Sequence, residues 1–278
     1  MNATKLDIKT ITEFLAEQPN VDVSQAWQRC WGIHSGIVDR VKARFPVTKH
    51  PSTLGHEYFT SLDKSMEGSF NAWSGPQVDW LVHSWLGNRK ASILDMNATV
   101  FLSQQSRVPH LIVIFGTVPK LFFYADYIPR VDPRMNLDYV QKYYEPANAA
   151  AIKLRGHPDF TWNWSHGTYL RGLMSAVCTS IMGELNDANI DVCERYLEDF
   201  VGRWFGWLDE AEVSPLPDAE RAAQQHYDYY VREAGYRTDP MNFLAQRAFG
   251  EKEFNERLEL RIGTQQMAAT RGKPPRGR

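Results

Sequence analysis

The residues of this chain best suited to chemistry lie in Leu121-Phe122-Phe123-Tyr124-Ala125-Asp126-Tyr127-Ile128, which is followed by Pro129-Arg130. Apolar side chains at successive positions of a short β-prone run predict a strand buried on both faces. Side chains alternate along a strand, so Asp126 shares its face with Phe122, Tyr124 and Ile128. A carboxylate in an apolar layer loses hydration, and burial then favours its neutral form. A neutral acid in an aromatic pocket can donate a proton near neutral pH. A second reading stands beside it: a structural acid paired with Arg130 or a buried backbone N–H, since a buried Asp is rare without a partner.

Composition narrows the setting. The 278 residues are 43% hydrophobic and 23% charged, ordinary values for a globular protein. The aromatic share is 13%, with nine Trp, enough for a thick core or a pocket around a flat, conjugated ligand. A net charge of −2 with no basic motif argues against nucleic acid. The apolar runs are too short to span a bilayer, and residues 1–14 lack an apolar signal core. Cys30, Cys178 and Cys193 are odd in number and lack metal-ligand spacing, so they read as reduced thiols of a cytoplasmic protein.

Periodicity predicts the elements that position Asp126. Residues 5–45 read as helical, 48–71 as mixed, and 78–128 as an antiparallel meander with short separators. Helices are expected over 136–144, 187–207, 219–233 and 243–262, while 166–182 fits either period. This order implies an α+β fold, a three-layer α/β/α sandwich around a central antiparallel sheet. One domain is expected over 1–262, with residues 1–70 as a helical N-terminal region and 263–278 as a disordered basic tail. The chain has no Gly-rich phosphate loop, dinucleotide fingerprint, Gly-x-Ser-x-Gly, His-Glu-x-x-His or paired Cys-x-x-Cys. Redox chemistry would therefore need electrons from outside.

Residues 78–144 resemble the red chlorophyll catabolite reductases. The resemblance rests on Val-Asp-Trp-Leu-Val-His-Ser-Trp (78–85), the strand holding Asp126, Pro129-Arg130, residues 136–144 and Tyr169-Leu170-Arg171. It extends to the related ferredoxin-dependent bilin reductases through Asp239, ten residues before Phe249-Gly250. It implies a tetrapyrrole pocket between the sheet and the C-terminal helices, with no bound metal or flavin. Single electrons would come from reduced ferredoxin, and the partners would be ferredoxin and a linear tetrapyrrole, with no membrane and a monomer or homodimer. Asp126 and Asp239 then match the two pocket acids, and Arg171 is a candidate propionate anchor.

One departure from the family pattern matters. Where the resemblance implies a pocket Glu, this chain has Ile114. His110, on the same strand face, is either a substitute donor or a strand-edge histidine. Trp85, Phe122, Tyr124 and Ile114 are candidates for the pocket lining, with core packing as the alternative for the aromatic residues. Asp95 and His83 are weaker pocket candidates. His157, Trp162, Trp164 and His166 form a candidate lid, and Arg89, Lys90, Lys120, Arg130 and Arg134 are candidate docking residues for an acidic donor. Three functions remain open: a ferredoxin-dependent tetrapyrrole reductase, a non-catalytic tetrapyrrole-binding or chaperone protein, and a reductase of another conjugated metabolite.

Overall fold

The computed structural model describes residues 20–163, 165 and 167–271. The helical stripe expected over Ile8, Ile11, Phe14 and Leu15 lies outside them, as do Trp164, His166 and the last seven residues. Helix α1 (Ser24–Arg44) buries Cys30, Ile37, Val38 and Val41 at helical spacing and ends on Lys42 and Arg44, whose charge suits its C-terminal dipole. The strands β1 (Thr48–Lys49), β2 (Phe59–Thr60) and β3 (Glu67–Ser74) follow. The N-terminal region is thus helical only as far as Arg44, and the sheet begins well before Val78. In β3 only alternate residues are buried, Phe70 and Ala72 among them, a weak apolar signal diluted by Ser and Asn.

The meander is β4 (Val78–Asn88), β5 (Ile93–Leu102), β6 (His110–Thr117) and β7 (Leu121–Ile128). Helical turns over Leu137–Tyr139 and Val140–Tyr144 lead into α2 (Glu145–Arg155), then β8 (Phe160–Trp162), α3 (Thr168–Leu173) and β9 (Thr179–Gly183). Helices α4 (Asp187–Val213) and α5 (Asp218–Arg237) are separated by the expected break at Pro215 and Pro217. The expected last helix is two, α6 (Asn242–Phe249) and α7 (Glu251–Ile262), because Gly250 between them adopts φ +78°. Beyond Gly263, residues Thr264–Thr270 form α8 and bury Met267, so the expected disorder does not begin there. None of the helices among the described residues is long and apolar enough to cross a membrane.

All nine strands join one antiparallel sheet, ordered β1-β3-β4-β5-β6-β7-β9-β8 with β2 also on β3. The register separates two faces. On one, Trp85, Met96, Phe115, Phe123 and Ile181 form a row across five strands. Helices α1, α2 and α4 cover this face in a large apolar core. Tyr127 stacks on Phe200 at 3.9 Å and donates to its carbonyl at 2.7 Å, and Trp204 Nε1 donates to the Pro109 carbonyl at 2.8 Å. On the other face, Phe70, Trp80, Val82 and Phe101 pack against Tyr229, Tyr236, Leu258, Ile262 and Met267 of the C-terminal helices. The result is an α+β sandwich with helices on both sides of an antiparallel sheet.

Candidate active site

The candidate site lies on the face under the C-terminal helices. Two neighbouring rows cross it: Val82, Thr99, Ile112 and Asp126, then Ser84, Asn97, Ile114, Tyr124 and Ser180. A third row holds Leu86, Asp95, Gly116, Phe122 and Met182. On this face Ile112, Ile114, Phe122 and Met182 are only half-buried, although their strands are central. The opposite side of the same strands is closed. An apolar floor accessible beside polar groups is what a flat organic ligand needs. The floor runs toward a cleft between β3–β5 and α6–α7, lined by Phe59, Phe70, Asp95, Asn242, Phe249 and Arg261.

Asp126 is fully buried beside this floor. Burial pushes its pKa up to about 6, against donors that favour the carboxylate. Ser175 supplies two of them, a short hydroxyl bond to Oδ1 and a backbone N–H to Oδ2 at 3.0 Å. Tyr124 donates to Oδ2 at 3.2 Å. The partner of Asp126 is thus Ser175 rather than Arg130, and the group stays within reach of proton transfer near neutral pH.

His110 and Arg130 belong to a different assembly. Arg130 is buried and grips Asp228 of α5, Nε to Oδ1 at 3.1 Å and a terminal nitrogen to Oδ2 at 2.6 Å. Gln224 Nε2 donates to Asp228 Oδ1 at 2.8 Å and to the Arg130 carbonyl at 2.7 Å. His110 accepts the Leu102 N–H on Nδ1 at 3.0 Å, which puts its proton on Nε2, 3.5 Å from Asp228 but without hydrogen-bond alignment. Burial, reinforced by Arg130, lowers its pKa to about 4. His110 is therefore a neutral member of a buried sheet-to-helix network, two pleats from Ile114, and its assignment as a substitute acid is corrected. Arg130, expected at a docking rim, is likewise buried.

The second acid, Asp239, lies in the turn between α5 and α6, half-buried, where its Oδ1 accepts the Met241 N–H at 2.8 Å. It is on the Asp126 side of the sheet, because Tyr236, three residues earlier, packs on Phe101 at 6.1 Å. Its charge acts on Asp95. Packing at the cleft wall raises the Asp95 pKa although its side chain is still 46% exposed, Arg261 at 3.9 Å opposes this, and Asp239 adds to it. The sequence reading gave Asp95 little weight, whereas the structure sets it on the cleft wall.

The lining candidates divide. Ile114, Phe122 and Tyr124 are on this face. Trp85 is not: its ring packs in the opposite core, edge-on to Trp27 at 5.2 Å. His83 is also on that side, stacked on Trp31 at 3.8 Å. Arg171 is exposed on α3, with a terminal nitrogen donating to the Ser165 carbonyl at 3.0 Å. His157 packs on Phe160, and Arg155 lies over the Trp162 ring. Of the other basic residues, Arg89, Lys90, Lys120 and Arg134 pair with Glu67, Asp22, Glu184 and Asp132. Ser175 had no sequence signal, since it lies 49 residues from its partner in a segment of ambiguous period. Among the described residues, no group of three or more His, Cys, Asp or Glu is arranged to hold a metal ion.

This helix-flanked antiparallel sheet is similar to the bilin reductase fold. One solved structure of that fold is phytochromobilin synthase from tomato in complex with biliverdin, 14% identical, with a TM-score of 0.71 over 86% of this chain and 83% of that one. At that identity the likeness establishes the fold. Residues 32–253 match the red chlorophyll catabolite reductase (RCC reductase) family, and the chain belongs to it. No curated protein matches it in sequence.

Proposed function

We propose that the protein reduces an open-chain tetrapyrrole with single electrons from reduced ferredoxin, and that Asp126 supplies a proton to the bound substrate. The observation that carries this reading is the buried Asp126 carboxyl, with its pKa pushed to about 6, beside the apolar floor of Ile112, Ile114 and Phe122. The family and the biliverdin bound by the structural neighbour support the ligand class. The floor offers the ligand a flat apolar surface. Protonating a conjugated tetrapyrrole makes it a better electron acceptor, so Asp126 acts before or with the first electron. Each double bond reduced takes two electrons, from two ferredoxins, and two protons. The carboxylate left on Asp126 is stabilised by Ser175, and Asp239 with Asp95 forms the second acidic locus across the same face. Ile114 in place of the implied Glu argues for a substrate other than the red chlorophyll catabolite itself.

The test is an absorbance titration of the purified protein with biliverdin, followed by anaerobic turnover with ferredoxin, its reductase and NADPH. Asp126→Asn should bind within a few-fold of wild type and reduce about 10²–10⁴-fold more slowly. Normal turnover by this variant, or full turnover with NADPH alone, contradicts the mechanism. Binding without reduction identifies a carrier instead.

A further inference from the structure

Ser175, in the loop before β9, holds both oxygens of Asp126. Its backbone N–H donates to Oδ2 at 3.0 Å and its hydroxyl makes the short bond to Oδ1. The hydroxyl oxygen also accepts the Val177 N–H at 3.2 Å. That contact occupies one lone pair and leaves the hydroxyl hydrogen turned toward Asp126. Both Ser175 donors therefore favour the charged carboxylate.

Tyr124, the other side-chain partner, at 3.2 Å from Oδ2, behaves differently. A phenol hydroxyl can donate or accept by rotating, which a backbone N–H cannot. The Cys178 thiol is near enough to feel its charge. When Asp126 carries its proton on Oδ2, that proton faces the Tyr124 hydroxyl, which can rotate to accept it. A proton on Oδ1 would face the Ser175 hydroxyl and leave that hydrogen without an acceptor, a costly arrangement in a buried site. The other titratable groups that feel Asp126 are Tyr127 on the same strand, Tyr144 before α2 and Tyr196 on α4. Burial raises each of them, and Tyr124 and Cys178 as well, so all are uncharged near neutral pH.

We propose that Ser175 is the positioning residue of the proton-donating carboxyl: it engages Oδ1, directs the transferable proton to Oδ2 and stabilises the carboxylate left after transfer. The inference rests on the reading of Asp126 as the donor. The proton passes from Oδ2 to the tetrapyrrole, the electron comes from reduced ferredoxin, and solvent restores the proton between turnovers.

The experiment begins without substrate, as an infrared titration of the protonated-carboxyl band of Asp126 in the full chain, assigned by its loss in Asp126→Asn. The wild-type band should titrate near pH 6. Ser175→Ala should move the midpoint up by about one pH unit or more, the size expected for one lost hydrogen bond to a carboxylate. Ser175→Thr, which keeps the hydroxyl, should restore it. Should Ser175→Ala fail to fold, Ser175→Cys, with its weaker donor, should still move the midpoint up from the wild-type value, by a smaller amount. An unmoved midpoint in Ser175→Ala or, failing that, in Ser175→Cys overturns the proposal. During anaerobic reduction of biliverdin, the alkaline limb of the rate should move upward with the midpoint. A rate lowered equally at every pH, with the limb in place, indicates packing alone and also overturns it. If the midpoint moves but Asp126→Asn reduces biliverdin at the wild-type rate, the assignment of Asp126 as donor fails while its coupling to Ser175 stands.

Discussion

A carboxyl whose pKa is raised by folding must weaken the fold once it ionises, and this can be measured without any ligand. Asp126 moves from about 3.9 in an unfolded chain to about 6 in the folded protein, chiefly through burial. Two pH units of separation correspond to about 3 kcal/mol of linked stability. The sign follows from the direction. With the folded value raised, the contribution is fully present below about 3.9 and is lost as pH rises through about 6. In Asp126→Asn the position does not titrate, while every other group is unchanged. The stability of wild type relative to Asp126→Asn should therefore fall by up to about 3 kcal/mol between pH 4 and pH 7. Urea unfolding of both proteins at half-unit steps across this range reads the difference directly. A difference that stays flat to within about 0.5 kcal/mol would refute the burial argument, because Asp126 would then ionise as easily in the folded chain as in the unfolded one.

Three other perturbations address the elements around the site. Asp228→Ala should cost about 3–5 kcal/mol in urea unfolding, because it leaves the buried Arg130 guanidinium unpaired, whereas Arg130→Met combined with Asp228→Leu should recover most of that loss. Trp85→Ala should lower stability by about 3–5 kcal/mol but leave the absorbance titration with biliverdin within a few-fold of wild type, since the ring packs on the far face of the sheet. Gly263→Ala should lower the melting temperature and loosen α8, because the residue has φ +71° and an added Cβ would stand 2.7 Å from the Trp80 ring.

The meander and its acid were legible because β5 to β7 are apolar runs of strand length with short separators, and because parity within one strand fixes Phe122, Tyr124 and Asp126 on one face. Parity does not carry from strand to strand. In β4, positions 78–85 are all buried, so no alternation marks the core side, and the register shifts between Val78 and Trp80. Trp80 and Trp85, five residues apart, point to opposite faces, and only Trp80 meets the C-terminal helices. His110 and Arg130 were misplaced for another reason: their partner Asp228 is about a hundred residues away on a helix, and nothing local announces it. Ser175 was hidden in the same way. Short polar residues in loops signal turns far more often than they signal a grip on a distant carboxyl.

The buried ion pairs explain how two acids from distant parts of the chain come to share a face. Gln224, Asp228, Arg232 and Tyr236 recur every four residues along α5 and form its buried stripe. Asp228 takes Arg130 from the end of β7, and Arg232 takes Asp79 of β4 at 2.9 Å while lying over Phe101 at 4.9 Å. An apolar stripe on this helix could slide or rotate by part of a turn at small cost. Two ion pairs one turn apart tie the helix to opposite sides of the sheet's centre: the Arg130–Asp228 hydrogen bonds are directional, whereas Arg232 and Asp79 meet as charges without hydrogen-bond alignment. Their desolvation offsets much of their attraction, so what they chiefly contribute is geometry rather than stability. That geometry is inherited downstream. Tyr236 ends the stripe against Phe101, and three residues later the chain turns at Asp239, beside Asp95 and on the same side as Asp126. The position of Asp239 is thus set by charged residues that lie away from the apolar floor.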